Sequence, residues 1–194
     1  MNKLQKDGLE EIVYKGKIFE VVKQSMIADG KKMVFEIARR SPGTRMIIVN
    51  DNRILINKEF RTELNEYDYR LPGGKVFDTL DEYNQNLSED ILPFAIEAAK
   101  RECREETGLI VKNIKYFVTA KSGATVVWDL IYFIIDDFEE NGIGQELEIG
   151  EIIDVEWKTF EEIKKLCKEG KISEDRSVGV LFRFFLQYPE NYIR

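Results

Sequence analysis

The chain has 194 residues, with 36 Asp+Glu against 29 Lys+Arg, a formal charge of −7, two Cys and no His. That length supports one domain with a sizeable core, and 43% hydrophobic content excludes a disordered chain. Without histidine there is no Ser-His-Asp or Cys-His nucleophile and no imidazole metal site, so such chemistry falls to carboxylates, Lys, Tyr and backbone. The acidic balance argues against a nucleic-acid partner held by bulk electrostatics. Cys103 and Cys167 lack close spacing, which points to reduced thiols and a cytoplasmic location. The first twenty residues carry no apolar signal core, and no apolar run is long enough to span a bilayer, so no membrane partner is expected.

In chain order, residues 18–25, 33–38, 46–49 and 53–57 are short β-branched or apolar runs that predict strands. Asp29-Gly30, Ser41-Pro42-Gly43 and Asp51-Asn52 supply turn chemistry between them. Residues 78–90 are polar, acidic and unpatterned, and read as a long loop. From 93 to 107 the pattern turns helical, with Phe94, Ile96, Ala98, Ala99 and Cys103 on the apolar side and Gly108 placed to end the helix. Strands follow at 114–120, 126–135 and 152–157, with a second acidic loop at 139–151. Trp128 and Tyr132 share parity on one of these strands, which favours core packing over base stacking. Thr159-Phe160-Glu161-Glu162 is a capping box for a helix that Gly170 closes. A last helix over 174–187 spaces Val178, Leu181, Phe182 and Phe185 along one face. The fold class is α+β, a mixed sheet packed between helices and preceded by an antiparallel β region.

The chemistry concentrates at the end of the central helix. Glu102, Glu105 and Glu106 stand at i, i+3 and i+4, so their carboxylates converge on one face. They also lie in the last turn, where the helix dipole disfavours anions. A divalent cation with oxygen ligands, Mg²⁺ or Mn²⁺, would neutralise such a cluster. Taken alone, the spacing equally describes a solvated charged helix face.

The wider context decides between them. Leu71-Pro72-Gly73-Gly74-Lys75-Val76, followed by Arg101-Glu102-Cys103-Arg104-Glu105-Glu106-Thr107-Gly108-Leu109, resembles the Nudix hydrolase signature G-x5-E-x7-R-E-U-x-E-E-x-G-U, with Cys103 at the apolar position U. Two departures stand in the first half. Gly74 and Arg101 are separated by 13 more residues than the pattern allows, and Pro93 occupies the glutamate position eight before Arg101. Glu89, Asp90 and Glu97 are the candidates to replace that glutamate. The resemblance implies Glu102 and Glu106 as principal metal ligands, Glu105 as an additional ligand with a catalytic role, and the Gly73 carbonyl completing the set. Arg101 would orient the glutamates, and Gly74 would let the backbone turn tightly.

Further patches resemble the ADP-ribose pyrophosphatase subfamily. They are residues 36–49 around Ser41-Pro42-Gly43, the 54–61 strand ending in Arg61, the 145–157 loop and strand, and 170–175 leading into the last helix. This likeness implies Mg²⁺-dependent hydrolysis of the diphosphate linkage of ADP-ribose or a related nucleoside diphosphate sugar. Arg61 would contact diphosphate or ribose, and Arg40, with neighbouring Arg39, would help bind nucleotide. A carboxylate of the 139–151 loop would serve as base, with Glu148 ahead of Glu146 and Glu151. Arg70 stands where the subfamily usually has glutamate, and Gly73 where it has alanine, so specificity is expected to move to another nucleoside diphosphate sugar or related dinucleotide. The likeness also implies a homodimer, with residues 1–45 as an exchange element and 46–194 as the hydrolase domain. A (d)NTP pyrophosphohydrolase and a non-catalytic nucleotide-sensing Nudix module are the alternatives.

Overall fold

A computed structural model describes residues 4–62, 65–189 and 192, and among them eleven strands form two sheets flanked by four helices. The N-terminal sheet contains β1 (Gln5–Lys6), β2 (Glu11–Lys15), β3 (Phe19–Ala28) and β4 (Lys31–Arg40), all paired antiparallel. Asp29 and Gly30 join β3 to β4 with φ of 51° and 71°, the paired positive values of a tight hairpin turn.

The larger sheet is built around β5 (Gly43–Asn50), whose residues 43–49 are all buried. A strand covered on both faces reads as a continuous apolar run, and Met46-Ile47-Ile48-Val49 is one. Ile47 and Val49 point into one core and Met46 and Ile48 into the other, as the two-residue period requires. On one side of β5 lies β6 (Arg53–Arg61), reached through Asp51 and Asn52 at φ 47° and 57°. β6 carries both β7 (Glu66–Arg70) and, at its edge, β11 (Ile153–Thr159). On the other side, β10 (Leu130–Glu140) runs parallel to β5, and β8 (Leu109–Ala120) closes the order antiparallel. The sheet is therefore mixed.

Helices cover both faces. α2 (Ile91–Thr107) packs against Met46, Ile48, Phe133 and Ile135 through Ala95, Ala99 and Cys103. Asp90 caps it by accepting from the Leu92 amide at 3.1 Å, and Gly108 ends it at φ 72°. Pro93 sits in its first turn, where a missing N–H costs nothing. α3 (Phe160–Lys168) and α4 (Asp175–Gln187) cover the opposite face through Phe160, Ile163, Leu181 and Phe184. The capping box is formed, with Glu162 and Thr159 bonded reciprocally. No described helix is long and apolar enough to cross a membrane.

Four local expectations change. Residues 78–90 are not structureless: α1 (Leu80–Gln85) forms there, capped by Thr79, with Leu80 and Tyr83 buried against Phe77 and α2. The single run 126–135 is two strands in two sheets. β9 (Val126–Val127) adds in parallel to β4, while β10 starts at Leu130. In α4 the buried residues are Ser177, Val180, Leu181, Phe184 and Phe185, and Phe182 is exposed. Tyr132 is in the core, its hydroxyl 3.0 Å from Ser177 Oγ, but Trp128 lies between β9 and β10 and does not share its strand.

Candidate active site

The loop carrying Gly73 and Gly74 is laid along the start of β5. Thr44 N–H donates to the Gly74 carbonyl (2.8 Å), Met46 N–H to the Pro72 carbonyl (2.9 Å) and Val76 N–H to the Pro42 carbonyl (2.9 Å). Gly73 adopts φ 143°, and a Cβ there would be driven into the Thr44 carbonyl. At Gly74 a Cβ would meet the Glu102 carboxylate, so the missing side chain lets that acid lie against the backbone.

Glu106 is the innermost carboxylate, 8% exposed. Its Oε2 accepts from Gly73 N–H (2.8 Å) and from Asn57 Nδ2 (2.9 Å). Burial pushes its pKa up to about 8, against the opposing pull of the Gly73 amide. Burial also raises Glu102, although Arg101 donates to it. Two acids with raised pKa on one helix face form a site in want of positive charge.

In this arrangement Arg101 supplies some of it. Its Nη2 lies 3.2 Å from Glu102 and its Nε 3.9 Å from Glu105, while Nη2 also donates to the Lys75 carbonyl (3.2 Å). Asp78, at 3.7 Å, is the acid from the insertion that reaches Arg101. The three candidates to replace the missing glutamate lie elsewhere in their contacts: Asp90 caps α2, Glu97 pairs with Lys100, and Glu89 has no described bond to Arg101. Among the described residues, no three carboxylates form a ready-made metal cage. The donor set nevertheless suits a hard divalent cation. Oxygen ligands dominate, two acids are desolvated, and the Gly73 carbonyl keeps a lone pair beside its bond from Arg45 Nη1 (3.1 Å).

The second acidic loop is tied to the same helix end. Gln145 Nε2 donates to the Glu106 carbonyl (2.6 Å), and Glu146 N–H donates to the Glu105 carbonyl (2.8 Å). These bonds satisfy carbonyls that a helix C-terminus leaves open. Glu146 turns outward to Arg104 at 3.5 Å, whereas Glu148 and Glu151 line the cavity. One Glu151 oxygen accepts from the Glu148 amide (2.9 Å), which leaves the Glu148 side chain the less committed of the two.

Most of the predicted site residues meet in one cavity of about 640 Å³: Glu102, Glu105, Glu106, Glu148, Arg101, Gly73, Gly74, Arg40 and Arg61 line it. Arg61 pairs with Glu59 at 2.8 Å. Arg39 does not reach it. It is bound by Glu10 and Glu20 inside the N-terminal sheet. Sequence reasoning gave no role to Arg45 and Asp78, which line the cavity, or to Asn57 and Glu174, which bond Glu106 and Arg45 behind it. Arg45 is 7% exposed, bonded to the carbonyls of Thr44 (2.8 Å) and Gly73 and to Glu174 at 3.1 Å. Its one visible signal is a charge set directly before the apolar β5 run.

A family model described as the NUDIX domain matches residues 39–178. This chain belongs to the Nudix family. It is a hydrolase of the Nudix pyrophosphatase type, and the matched span contains every residue predicted for the site. No curated protein matches the sequence. Among solved structures, one described as a crystal structure of ADP compounds hydrolase is similar in fold at TM-score 0.70 and 17% identity, covering 97% of each chain. The likeness takes in the N-terminal sheet as well as the Nudix domain, and it extends to the mixed α+β architecture described above.

Proposed function

We propose that this Nudix hydrolase cleaves the diphosphate linkage of ADP-ribose or a related nucleoside diphosphate sugar, with Mg²⁺ or Mn²⁺, giving a nucleoside monophosphate and a sugar phosphate. The observation that carries the reading is the meeting of the Glu102, Glu105 and Glu106 wall with Arg61 and Arg70 in one cavity. Acids for a metal and guanidiniums for phosphate oxygens are the two halves of a diphosphate site. Glu102 and Glu106 would hold the ion, with Glu105 and the Gly73 carbonyl as further donors. When bound, the ion neutralises the diphosphate and makes water easier to deprotonate. Glu148 accepts the proton from the attacking water, and Arg61 holds a phosphate oxygen while charge shifts to the leaving group. Arg101 keeps Glu102 and Glu105 oriented.

The test is a hydrolysis screen over ADP-ribose, nucleotide sugars and NTPs with Mg²⁺ or Mn²⁺, identifying products. Glu102→Gln is expected to lose orders of magnitude in turnover. Inorganic pyrophosphate from NTPs, with ADP-ribose left intact, would replace this reading with the NTP pyrophosphohydrolase one. Nucleotide binding unaffected by Glu102→Gln, with no turnover in either protein, would leave a sensor.

The same reading includes a homodimer in the cytoplasm. Ile12, Val13, Tyr14, Phe19, Val34 and Phe35 are exposed apolar side chains on the N-terminal sheet, of the type that a second copy covers. Light scattering that returns a monomer at micromolar concentration would remove the dimer from the proposal.

A further inference from the structure

Trp128 stands at one end of the cavity with two guanidiniums against its ring, Arg40 at 4.4 Å and Arg176 at 4.2 Å from the centroid. The two are not equivalent. Arg176 is fully engaged: Nη1 donates to the Trp128 carbonyl (2.6 Å) and to Ser122 Oγ (3.0 Å), and Nη2 to Glu174 (3.3 Å). Arg45, the third cation of this cluster, bonds Thr44, Gly73 and Glu174. Glu174 already serves Arg45, Arg176 and Ser177, so its carboxylate is not free for Arg40.

Arg40 differs from both. No described carboxylate pairs with it, its Nε is buried without a hydrogen-bond partner, and it lines the cavity. The half-buried Arg40 is disfavoured first by desolvation and then by Arg45 and Arg176 nearby. A guanidinium held over an indole, with its N–H edge unbonded, is a preorganised fork for a carboxylate or a phosphate. Leaving such a group half-buried and unpaired is costly unless a ligand anion completes it. The position also matters. Arg61 and Arg70 come from β6 and β7 of the larger sheet, whereas Arg40 ends β4 of the other sheet. These guanidiniums thus enter the cavity from two sheets, and a diphosphate held by Arg61 and Arg70 would leave Arg40 for another anion.

We infer that Arg40 and Trp128 form a second anion subsite, which takes an acidic group of the substrate separate from its diphosphate, a phosphate monoester or a carboxylate. This rests on the diphosphate-cleaving reading above and narrows it to substrates with an additional acid. Base stacking on the Trp128 ring is disfavoured on the same grounds, because guanidiniums already lie against it. The extra acid has two possible origins, the nucleoside ribose or the group beyond the diphosphate.

Matched substrate pairs separate these origins. NADPH against NADH and coenzyme A against its dephospho form add a ribose phosphate. UDP-glucuronate against UDP-glucose adds a carboxylate on the sugar. With Mg²⁺ present, the acid-bearing member of at least one pair is expected to have a kcat/KM higher by about tenfold or more, the scale of a bidentate charge-assisted contact. Arg40→Gln should shrink that ratio to within about threefold, and Arg40→Lys, which keeps the charge but loses the fork, should fall between. Melting curves establish that each variant is folded. Equal cleavage of both members of every pair overturns the subsite and leaves the pyrophosphatase reading standing. So does an Arg40→Gln variant that slows both members by the same factor, since Arg40 would then serve the diphosphate itself. Cleavage of no pair, with ADP-ribose and the nucleotide sugars also intact, overturns both.

Discussion

Replacing Glu106 by Gln should make the metal-free protein less sensitive to pH, and the size of the change follows from where this side chain sits. The folded-state pKa is about 8 against an ordinary 4.5, because burial disfavours the charged form more than the Gly73 amide favours it. Between these values the native protein holds a proton that the unfolded chain has released. Stability therefore falls as pH rises through that window, and is fully present below about 4.5. At about 1.4 kcal/mol per unit, the span sets a ceiling of about 5 kcal/mol. For a domain of this size that is a shift of about 10 °C or more in Tm. Gln keeps an oxygen to accept from Gly73 N–H and Asn57 Nδ2 but has no proton to lose. Thermal melts in chelator from pH 5 to 8.5 should show wild type declining more steeply than Glu106→Gln. Glu102, whose pKa is also raised, stays in both proteins, so the difference between the curves isolates Glu106. Added Mg²⁺ should restore wild type at the alkaline end, because an ion that binds only the native state stabilises it. Parallel curves for the two proteins in chelator would refute the argument.

Three further perturbations test the scaffold around the site. Gly73→Ala places a Cβ against the Thr44 backbone at φ 143°, so it should cost about 2 kcal/mol or more in urea unfolding and lower kcat by shifting the loop from Glu106. Arg45→Met removes the charge beside Glu174 and the donor to Gly73. A loss of about 3 kcal/mol in stability is expected, and Glu174→Gln in the same background should recover part of it by removing the orphaned acid. Leu80→Ala empties a position that is 5% exposed beneath α1, and about 2–3 kcal/mol should be lost. An effect below about 0.5 kcal/mol in denaturant would mean that α1 is not packed as described.

How much of this was legible in the sequence depends on how local its cause is. The capping box at Thr159, the hairpin at Asp29-Gly30 and the stop at Gly108 are set by neighbours within a turn, and each was readable. The cluster of Glu102, Glu105 and Glu106 was readable because one helix carries all three. α1 was not, since its two buried residues, Leu80 and Tyr83, are too few to make a period. β7 was missed for a different reason. Its buried residue is Asp68, which accepts from Ser173 N–H (2.9 Å) and Oγ (2.7 Å), so the strand buries charge where alternation expects apolar side chains. The split of 126–135 between two sheets is marked in the sequence by one polar residue, Asp129, too slight a signal inside an apolar run. Arg45 meets Glu174 across 129 positions of sequence, and only the folded chain brings that pair together.

The partner of Arg101 illustrates what the insertion does to the site. The family pattern puts a glutamate on the approach to the helix, but here that position is Pro93, inside the first turn of α2. Asp78, the first residue of the inserted stretch, reaches Arg101 instead, at 3.7 Å and with its side chain 71% exposed. An ion pair that exposed contributes about 0–1 kcal/mol, so Asp78 alone does not fix the guanidinium. The Lys75 carbonyl and Glu102 itself do more of the holding. Arg101 therefore lies partly across the carboxylate that a metal would use, as a counter-charge in the metal-free protein. A divalent ion, with twice the charge and a shorter reach to oxygen, should displace that contact while the carbonyl bond keeps Arg101 in place. Asp78→Asn is then expected to change Mg²⁺ affinity by less than about threefold, whereas Arg101→Lys, which cannot bond the carbonyl and Glu102 in one plane, should weaken turnover by about tenfold or more. A larger effect from Asp78→Asn than from Arg101→Lys would show that the exposed acid, and not the backbone carbonyl, orients the site.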